Sequence, residues 1–277
     1  MAYLEFTFKI EHSEEAEILV AVLSELQMEG FQEEENELKA YIKESDFKED
    51  LFNNIIEINS LKYYKSIIHE VNWNAEWESG FQPITVFHPE DQSIFAYVRA
   101  NFHPALSGAT YDLQITPKMS FGTGHHATTY QMMEYMSLLD FKNKRVLDFG
   151  TGTGLLAILA EKMGALEIEA IDCDEWSINN TIENMEANKC SKIVVAQADI
   201  CVQTKGKADI LLANINLNVI KDNINNIKNC CNEGAVVLFS GILTQDEPQI
   251  RQTLEENNFA IKKISSRNNW LFLVAHL

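Results

Sequence analysis

The sequence predicts a two-domain protein of the α/β class, in which a small α+β domain precedes an open, doubly wound parallel sheet with an antiparallel pair at its edge. Three observations predict this architecture. Strand and helix signals alternate from Thr128 onward with the spacing of β-α units. A glycine-rich turn follows an apolar strand at 146–154. The first seventy residues carry 6 basic and 17 acidic side chains, a local charge of −11 within a total of −19.

The first domain, residues 1–71, is predicted to alternate strands and helices. The predicted elements are a strand at 3–10, a helix at 14–26, a strand pair at 31–42, a helix at 47–58 and a strand at 63–71. Ser13 is a candidate N-cap, and both helices are amphipathic. This order is typical of a ferredoxin-like split β-α-β domain.

Residues 72–80 are predicted to form a linker, because they are polar apart from Trp73 and Trp77 and end in glycine. The second domain covers 81–277. It begins with short strand patterns at 84–87, 95–99 and 111–116. The β-α series then has helices at 128–139, 155–163, 176–188, 217–229 and 247–257, and strands at 145–149, 167–172, 193–198, 210–214, 235–241, 260–266 and 270–275.

The composition disfavours several classes of partner. The chain has 22 basic and 41 acidic residues, so naked nucleic acid is a poor partner for it and a basic protein is a good one. No apolar run approaches the roughly 20 residues of a membrane span. Five cysteines without a C-x-x-C pair predict reduced thiols in a cytoplasmic protein. No acid or thiol cluster accompanies His125 and His126, so no metal site is predicted.

The motif D-F-G-T-G-T-G at 148–154 carries most of the chemistry. Gly150 and Gly152 are candidate cofactor-binding residues, because glycine lets the backbone turn tightly and approach a ligand. The G-x-G-x-G spacing differs from the dinucleotide fingerprint, since Leu155 stands where the third glycine of that fingerprint belongs. A tight turn without a ligand is the structural alternative.

Acids follow the next two strands. Asp172 ends the strand at 167–172, where a carboxylate can accept both hydroxyl hydrogens of a ribose. Asp199 follows the strand after it and is placed for an adenine amino group. Together with Asp148 before the first glycine, these acids favour a methyltransferase over a nicotinamide-dependent oxidoreductase.

Asn214 ends the fourth strand of the series, where its side-chain carbonyl can accept hydrogen bonds from a substrate amine. A cap for the following helix is the alternative role. Upstream, the segment 117–129 reads P-K-M-S-F-G-T-G-H-H-A-T-T, which is typical of a loop that covers a ligand. Thr128 or Thr129 can alternatively cap the helix that starts there.

These motifs resemble those of the bacterial ribosomal protein L11 methyltransferases, and the resemblance covers nearly the whole chain. The family's motifs are similar to F-G-T-G-T-H-P-T-T, D-x-G-C-G-S-G-I-L, N-I-L and S-G-I-L. Here they lie at 121–129, 148–156, 214–216 and 240–243. The departures include His125, Ala127, Thr151, Thr153 and Asn216.

The resemblance implies a Rossmann-like methyltransferase sheet behind a substrate-recognition domain. It implies methyl transfer from S-adenosylmethionine to amino groups of the basic protein L11, on lysine side chains, with the N-terminal amine as a further candidate. Thr129, Gly150, Asp172 and Asn214 fall where the family binds this cofactor, and Asn214 is also the candidate catalytic residue that orients the amine.

Two other functions stay open. Methyltransferases of glutamine side chains or RNA bases have a pocket that resembles N-P-P-Y, whereas 214–217 lacks the prolines and the aromatic residue. The acidity of the chain also argues against RNA. The second is a non-catalytic module that keeps the fold for docking, against which the near-complete set of cofactor-site residues argues.

Overall fold

The computed structural model of the chain describes residues 2–10, 12–24, 26, 28, 30–34, 36–58, 61–69, 81–116, 122–202 and 206–277. The chain divides into two compact units, Met1–Trp73 and Asn74–Leu277. The predicted linker at 72–80, including Trp73 and Trp77, lies outside the described residues. So does the first part of the predicted ligand loop, at 117–121.

The described part of the first unit forms one antiparallel sheet with helices between its strands. Its elements are β1 (Ala2–Lys9), α1 (Ser13–Ser24), β2 (Gly30–Glu34), β3 (Glu37–Lys43), α2 (Glu49–Ile58) and β4 (Tyr63–His69). The strands lie in the order β2-β3-β1-β4, and every neighbouring pair is antiparallel. α1 begins at Ser13 itself, and α2 begins two residues later than the sequence pattern indicates.

Strand alternation places the apolar side chains of this unit on one face of the sheet. Phe6 and Phe8 of β1 are buried, whereas Thr7 between them is partly exposed. The ring of Phe6 lies 4.3 Å from that of Phe52 on α2, measured between centroids. The period of two along β1 therefore determines which face the helices cover.

The second unit starts with a three-stranded sheet. Its strands are β5 (Ile84–Phe87), β6 (Ile94–Arg99) and β7 (Tyr111–Gln114). β5 and β6 are antiparallel, and β6 and β7 are parallel.

A seven-stranded sheet forms the rest of this unit. Its elements are α3 (Ala127–Met136), β8 (Arg145–Phe149), α4 (Leu155–Lys162), β9 (Glu167–Asp172), α5 (Glu175–Ala187), β10 (Ile193–Gln197), β11 (Ala208–Asn214), α6 (Leu217–Cys230), β12 (Cys231–Leu243), a 3₁₀ turn (Thr244–Asp246), α7 (Glu247–Glu256), β13 (Ala260–Arg267) and β14 (Trp270–His276). β12 begins four residues before the predicted strand at 235–241, and α3 ends three residues before the predicted helix end at 139.

The strand order is β10-β9-β8-β11-β12-β14-β13. The first five strands are parallel, and β14 is antiparallel to both of its neighbours. The predicted α/β sheet with an antiparallel pair at its edge is therefore confirmed. The chain reverses its direction of travel across the sheet between β8 and β11. In sheets of this kind, ligands bind outside the carboxyl ends of the strands at that switch point.

Candidate active site

The glycine turn at 150–154 joins β8 to α4 and is held to the end of β9. The amides of Gly150 and Thr151 both donate to the carbonyl oxygen of Ile171, at 2.8 and 3.0 Å. The φ angles of Gly150 and Gly154 are both 77°, a left-handed conformation that glycine adopts without strain. The backbone of the turn therefore requires glycine at these two positions.

Close packing within the chain is a second reason for glycine there. A Cβ atom on Gly150 would overlap Cγ2 of Ile215, which follows β11. A Cβ atom on Gly154 would lie 2.8 Å from Cγ2 of Thr181 on α5. Gly150 and Gly154 therefore also permit close packing within the chain, and the approach of a ligand to Gly150 and Gly152 stays a prediction.

Asp172 lies at the end of β9 beside the glycine turn. Its Oδ2 accepts a hydrogen bond from the amide of Gly152 at 2.9 Å, and its Oδ1 accepts one from the amide of Asp174 at 3.1 Å. The residue is partly exposed. Its carboxylate is thus fixed in orientation but open to solvent, which suits an acceptor for ribose hydroxyls.

Asp199 lies beyond the end of β10, and its side chain is exposed. The amide of Ala198 donates to the carbonyl oxygen of Asp172 at 2.9 Å. Asp172 and Asp199 therefore lie at neighbouring strand ends on one edge of the sheet. The role of Asp199 toward an adenine amino group stays a prediction.

Asn214 is the last residue of β11, and only 9% of its surface is exposed. Its Nδ2 donates to Oγ1 of Thr129 in the first turn of α3, at 3.0 Å. Its Oδ1 has no hydrogen-bond partner in the described protein. An unpaired buried acceptor costs about 1–3 kcal/mol, so an incoming donor would stabilise this oxygen.

The helix after β11 is capped by Asn216 and not by Asn214. Oδ1 of Asn216 accepts a hydrogen bond from the amide of Val219 at 3.0 Å. The role of helix cap, which was the alternative for Asn214, therefore belongs to Asn216. The departure from N-I-L at the third position places a helix cap there.

The S-G-I-L motif holds the segment between Asn214 and Asn216 in place. The amide of Ile215 donates to the carbonyl oxygen of Ser240 at 3.1 Å. A Cβ atom on Gly241 would lie 2.6 Å from the carbonyl oxygen of Ile215. Glycine at 241 thus permits the close approach that fixes the end of β11.

The described part of the predicted ligand loop is attached to two other segments. Oγ1 of Thr153 in the glycine turn donates to the carbonyl oxygen of Gly122 at 2.8 Å. The ring of His125 lies with Nε2 2.9 Å from the carbonyl oxygen of Gln82 and with Nδ1 3.2 Å from Oγ1 of Thr123. A neutral imidazole protonated at Nε2 satisfies both contacts.

His126 is the N-cap of α3. Its Nδ1 accepts a hydrogen bond from the amide of Thr128 and lies 2.8 Å from Oγ1 of Thr128. Its ring meets that of Trp270 edge-on, with the centroids 4.7 Å apart. Thr128 and Thr129 therefore lie inside the first turn of the helix, which leaves Thr129 to bond Asn214.

The carboxyl of Asp148 is buried, with 1% of the residue exposed. Its Oδ2 accepts a hydrogen bond from Oγ1 of Thr151 at 2.7 Å, and its Oδ1 has no partner in the described protein. Burial, with a smaller contribution from the charge of Asp172, raises the pKa of Asp148 to about 7, although hydrogen bonds from the Thr151 hydroxyl and the Ala157 amide act in the opposite direction. The sequence marks Asp148 only as a motif residue and gives no sign of this environment.

Asp148 and Asn214 face the same side of the sheet. Asp148 is paired in register with Leu212 on β11, two residues before Asn214, and side chains alternate along a strand. Two buried acceptor oxygens without partners therefore lie on one face of adjacent strands at the switch point.

Two asparagines at the end of α5, Asn184 and the C-cap residue Asn188, make contacts that were not predicted from the sequence. Oδ1 of Asn184 accepts from the amide of Thr116 at 2.7 Å, and its Nδ2 donates to the carbonyl oxygen of Thr153 at 2.8 Å. Oδ1 of Asn188 accepts from the amide of Gln114 at 2.9 Å. These bonds join the edge of β7 to α5 and to the glycine turn. The sequence signal that could have identified these residues is the spacing of four between the asparagines, which places them on one face of a helix.

Metal clusters and membrane helices are both absent from the described ranges. These ranges contain no group of three or more His, Cys, Asp or Glu residues that could hold a metal ion. They also contain no helix whose length and apolar character would let it cross a membrane.

The residues at the switch point fit S-adenosylmethionine. The cofactor presents ribose hydroxyls, an adenine amino group and positive charge, all of which call for acceptors and anions. Asp172 and Asp199 are acidic and accessible, and the carboxyl of Asp148 lies nearby at the start of the glycine turn. The site therefore offers acceptors that suit the ribose hydroxyls, the adenine amino group and the positive charge.

Comparisons with known proteins agree with one another. A family model described as ribosomal protein L11 methyltransferase (PrmA) matches residues 6–277. Ribosomal protein L11 methyltransferases of Bacteroides fragilis and Porphyromonas gingivalis are both 36% identical to the chain, over 98% and 99% of its length and 98% and 97% of their own. A crystal structure of ribosomal protein L11 methylase from Lactobacillus delbrueckii subsp. bulgaricus is similar with a TM-score of 0.61 and 28% identity, over 69% of this chain and 98% of its own.

Proposed function

The chain belongs to the family of ribosomal protein L11 methyltransferases, and from this we propose that it transfers methyl groups from S-adenosylmethionine to amino groups of L11. The acceptors in this proposal are lysine side chains and the N-terminal amine. The observation that carries it is the hydrogen bond between Thr129 and Asn214, which fixes the Asn214 amide and leaves its Oδ1 free to accept a donor.

The cofactor would be held by the acids and the glycine turn. Asp172 would accept the ribose hydroxyls, Asp199 the adenine amino group, and the backbone at Gly150 and Gly152 would line the site. The Gly152 amide already orients the Asp172 carboxylate at 2.9 Å. Such preorganisation lowers the entropy cost of ordering the ligand.

S-adenosylmethionine would supply a methyl group bonded to a positively charged sulfur. The amine lone pair would attack the methyl carbon in line with the carbon–sulfur bond, and the sulfur would leave. A lysine amine has an ordinary pKa of about 10.4, so it must lose a proton first. A neighbouring positive charge and a dry site both favour the neutral amine, so no dedicated strong base is required.

Asn214 would orient that neutral amine. Its Oδ1 can accept an N–H hydrogen bond, which turns the nitrogen lone pair toward the methyl group. The oxygen is covered in the protein alone, so the amine reaches it only when neighbouring groups move apart. Hydrogen bonds of this kind often form only in the substrate complex.

We assign the first unit as a ferredoxin-like domain that recognises the client, with the linker at 72–80 and the methyltransferase domain at 81–277. The β-α-β-β-α-β element order and the sheet order β2-β3-β1-β4 support the fold. The charge of −11 over residues 1–70 supports a basic partner, because opposite fields speed association. The total charge of −19 disfavours direct contact with nucleic acid, and a ribosomal client supports a reaction in the cytoplasm.

The test is incubation of the pure protein with labelled S-adenosylmethionine and ribosomal proteins from a strain that lacks the enzyme. The expected result is label on L11 alone, on lysine or N-terminal peptides, and loss of label with Asp172→Ala. Label on RNA or on another protein would overturn the client. Absence of both labelling and cofactor binding would favour a non-catalytic docking module instead.

A further inference from the structure

Asp148 has a property that the proposed methyl transfer does not use. Its carboxyl is fully buried, yet a single hydroxyl, that of Thr151, supplies the side-chain hydrogen bond that it accepts. Its register neighbours on β11 and β9 are Leu212 and Ala170, which cannot donate from their side chains. Oδ1 has no partner in the described protein.

The surroundings of Asp148 also offer no balancing cation within the described ranges. The first six side chains of α4, 155–160, are all apolar, and the backbone amide of Ala157 is the group of this helix that lowers the pKa of Asp148. The rings of His125 and His126 bond to the segment around them and to Gln82. Asp172 adds a negative charge from the end of β9. An ionised carboxylate at 148 would thus be buried and repelled by a second acid, with only the Thr151 hydroxyl and the Ala157 amide to favour it.

We propose that Asp148 couples cofactor binding to the release of a proton, an inference that rests on the cofactor assigned above. Its carboxyl is protonated in the empty protein near neutral pH and loses that proton when S-adenosylmethionine binds. In this step the O–H bond of the carboxyl breaks, the proton passes to water, and the carboxylate remains. No group is oxidised or reduced.

The glycine turn explains why a ligand would act on Asp148. Thr151 bonds to Asp148, and the next amide, that of Gly152, bonds to Asp172. The charge of Asp172 already acts on Asp148 across this turn and raises its pKa. A ligand of net positive charge bound at this turn would have an effect of the opposite sign and would favour the carboxylate.

Calorimetric titration with S-adenosylmethionine, in buffers of different ionisation enthalpy, measures the protons released. At pH 7 the wild type should release about half a proton per cofactor, and its Kd should weaken about tenfold from pH 8 to pH 6. Asp148→Asn should lose both contributions and keep only those of the cofactor's own groups. Subtracting the variant removes the titration of the cofactor's own amino group, whose ordinary pKa is about 8.

Thr151 provides a second pair of variants. Thr151→Val removes the hydrogen bond that favours the carboxylate, so the midpoint of the Kd profile should move to higher pH, whereas Thr151→Ser should keep it in place. Difference infrared spectra of the wild type provide a readout that needs no substitution. Cofactor addition should remove the C=O stretch of a protonated carboxyl.

Equal proton release in the wild type and in Asp148→Asn would overturn the inference, as would an unchanged carboxyl band. Neither measurement uses L11, so either result would leave the proposed methyl transfer standing. Failure of the wild type to bind S-adenosylmethionine at any pH would overturn the proposed function as well.

Discussion

Nδ2 of Asn214, at the end of β11, donates to Oγ1 of Thr129, in the first turn of α3, at 3.0 Å. This bond connects residues 85 positions apart and determines which way the Asn214 amide points. Because the nitrogen is engaged, the oxygen is the atom left for a substrate. The orientation of one side chain thus depends on a hydroxyl supplied by a helix upstream of the glycine turn.

Replacing Asn214 by Ala is expected to lower kcat about a hundredfold and to change the Kd for S-adenosylmethionine much less. Misplacing a reacting group by about 1 Å can cost this much. Single-turnover methylation of L11 and a separate cofactor titration measure the two effects. A variant with full kcat and unchanged cofactor affinity would contradict the role assigned to Asn214.

Thr129→Val should also lower kcat, but less than Asn214→Ala does. The Asn214 side chain remains in this variant and loses only the hydrogen bond that orients its amide. Thr129→Ser is the matched control, since it keeps the hydroxyl and should retain most activity. The comparison separates loss of the hydrogen bond from loss of volume at a residue that is 1% exposed. Equal activity of the two variants would show that the hydrogen bond does not matter.

The strands were the most predictable part of the fold. The strands at 84–87, 145–149 and 167–172 have the bounds that the sequence predicts, because each is a short run with turn residues on both sides. β12 begins earlier than predicted, since C-N-E-G at 231–234 has the composition of a turn. Local pattern therefore identifies an element better than it identifies its ends.

The candidate site was predictable only in part. Asp172 could be placed, because an acid at a strand end follows from the alternation of strands and helices. The cap role was predicted from the sequence as an alternative for Asn214, whereas Asn216, which directly precedes the helix, caps it. The bond from Asn214 to Thr129 and the burial of Asp148 depend on tertiary packing, which no local pattern encodes.

Gly150→Ala should destabilise the protein more than a left-handed backbone alone explains. The conformation costs a residue with a side chain about 1–2 kcal/mol, and overlap with Ile215 should add roughly 1–3 kcal/mol. Gly234→Ala is the matched control, because Gly234 has a φ of 78° and a Cβ atom added there would have no neighbouring atom within 4 Å. Thermal unfolding measures both, and Gly150→Ala combined with Ile215→Ala should recover part of the difference. Equal losses at 150 and 234 would show that the overlap relaxes freely.

Asp172→Asn should weaken cofactor binding at least tenfold, because one charged acceptor becomes a donor toward the ribose. Direct titration with S-adenosylmethionine measures the change. Asp174→Asn is the control, since Asp174 caps α5 and asparagine caps a helix about as well as aspartate. An unchanged Kd in Asp172→Asn would remove Asp172 from the ribose site.

Asp148→Asn should change how the stability of the empty protein depends on pH. Folding raises the pKa of Asp148 to about 7 from an ordinary value of 3.8, so the native state holds this proton more tightly than the unfolded chain. Its contribution to stability is therefore complete at low pH and declines as pH rises toward 7, with about 1 kcal/mol lost between pH 6 and pH 8. Asparagine does not titrate, so the Tm of Asp148→Asn should rise relative to the wild type as the pH increases. Asp140→Asn, the same substitution at an exposed position, is the matched control.

Parallel Tm curves for Asp148→Asn and the wild type would contradict this prediction. They would mean that Asp148 is already ionised in the empty protein, because folding then takes up no proton at this residue between pH 6 and pH 8.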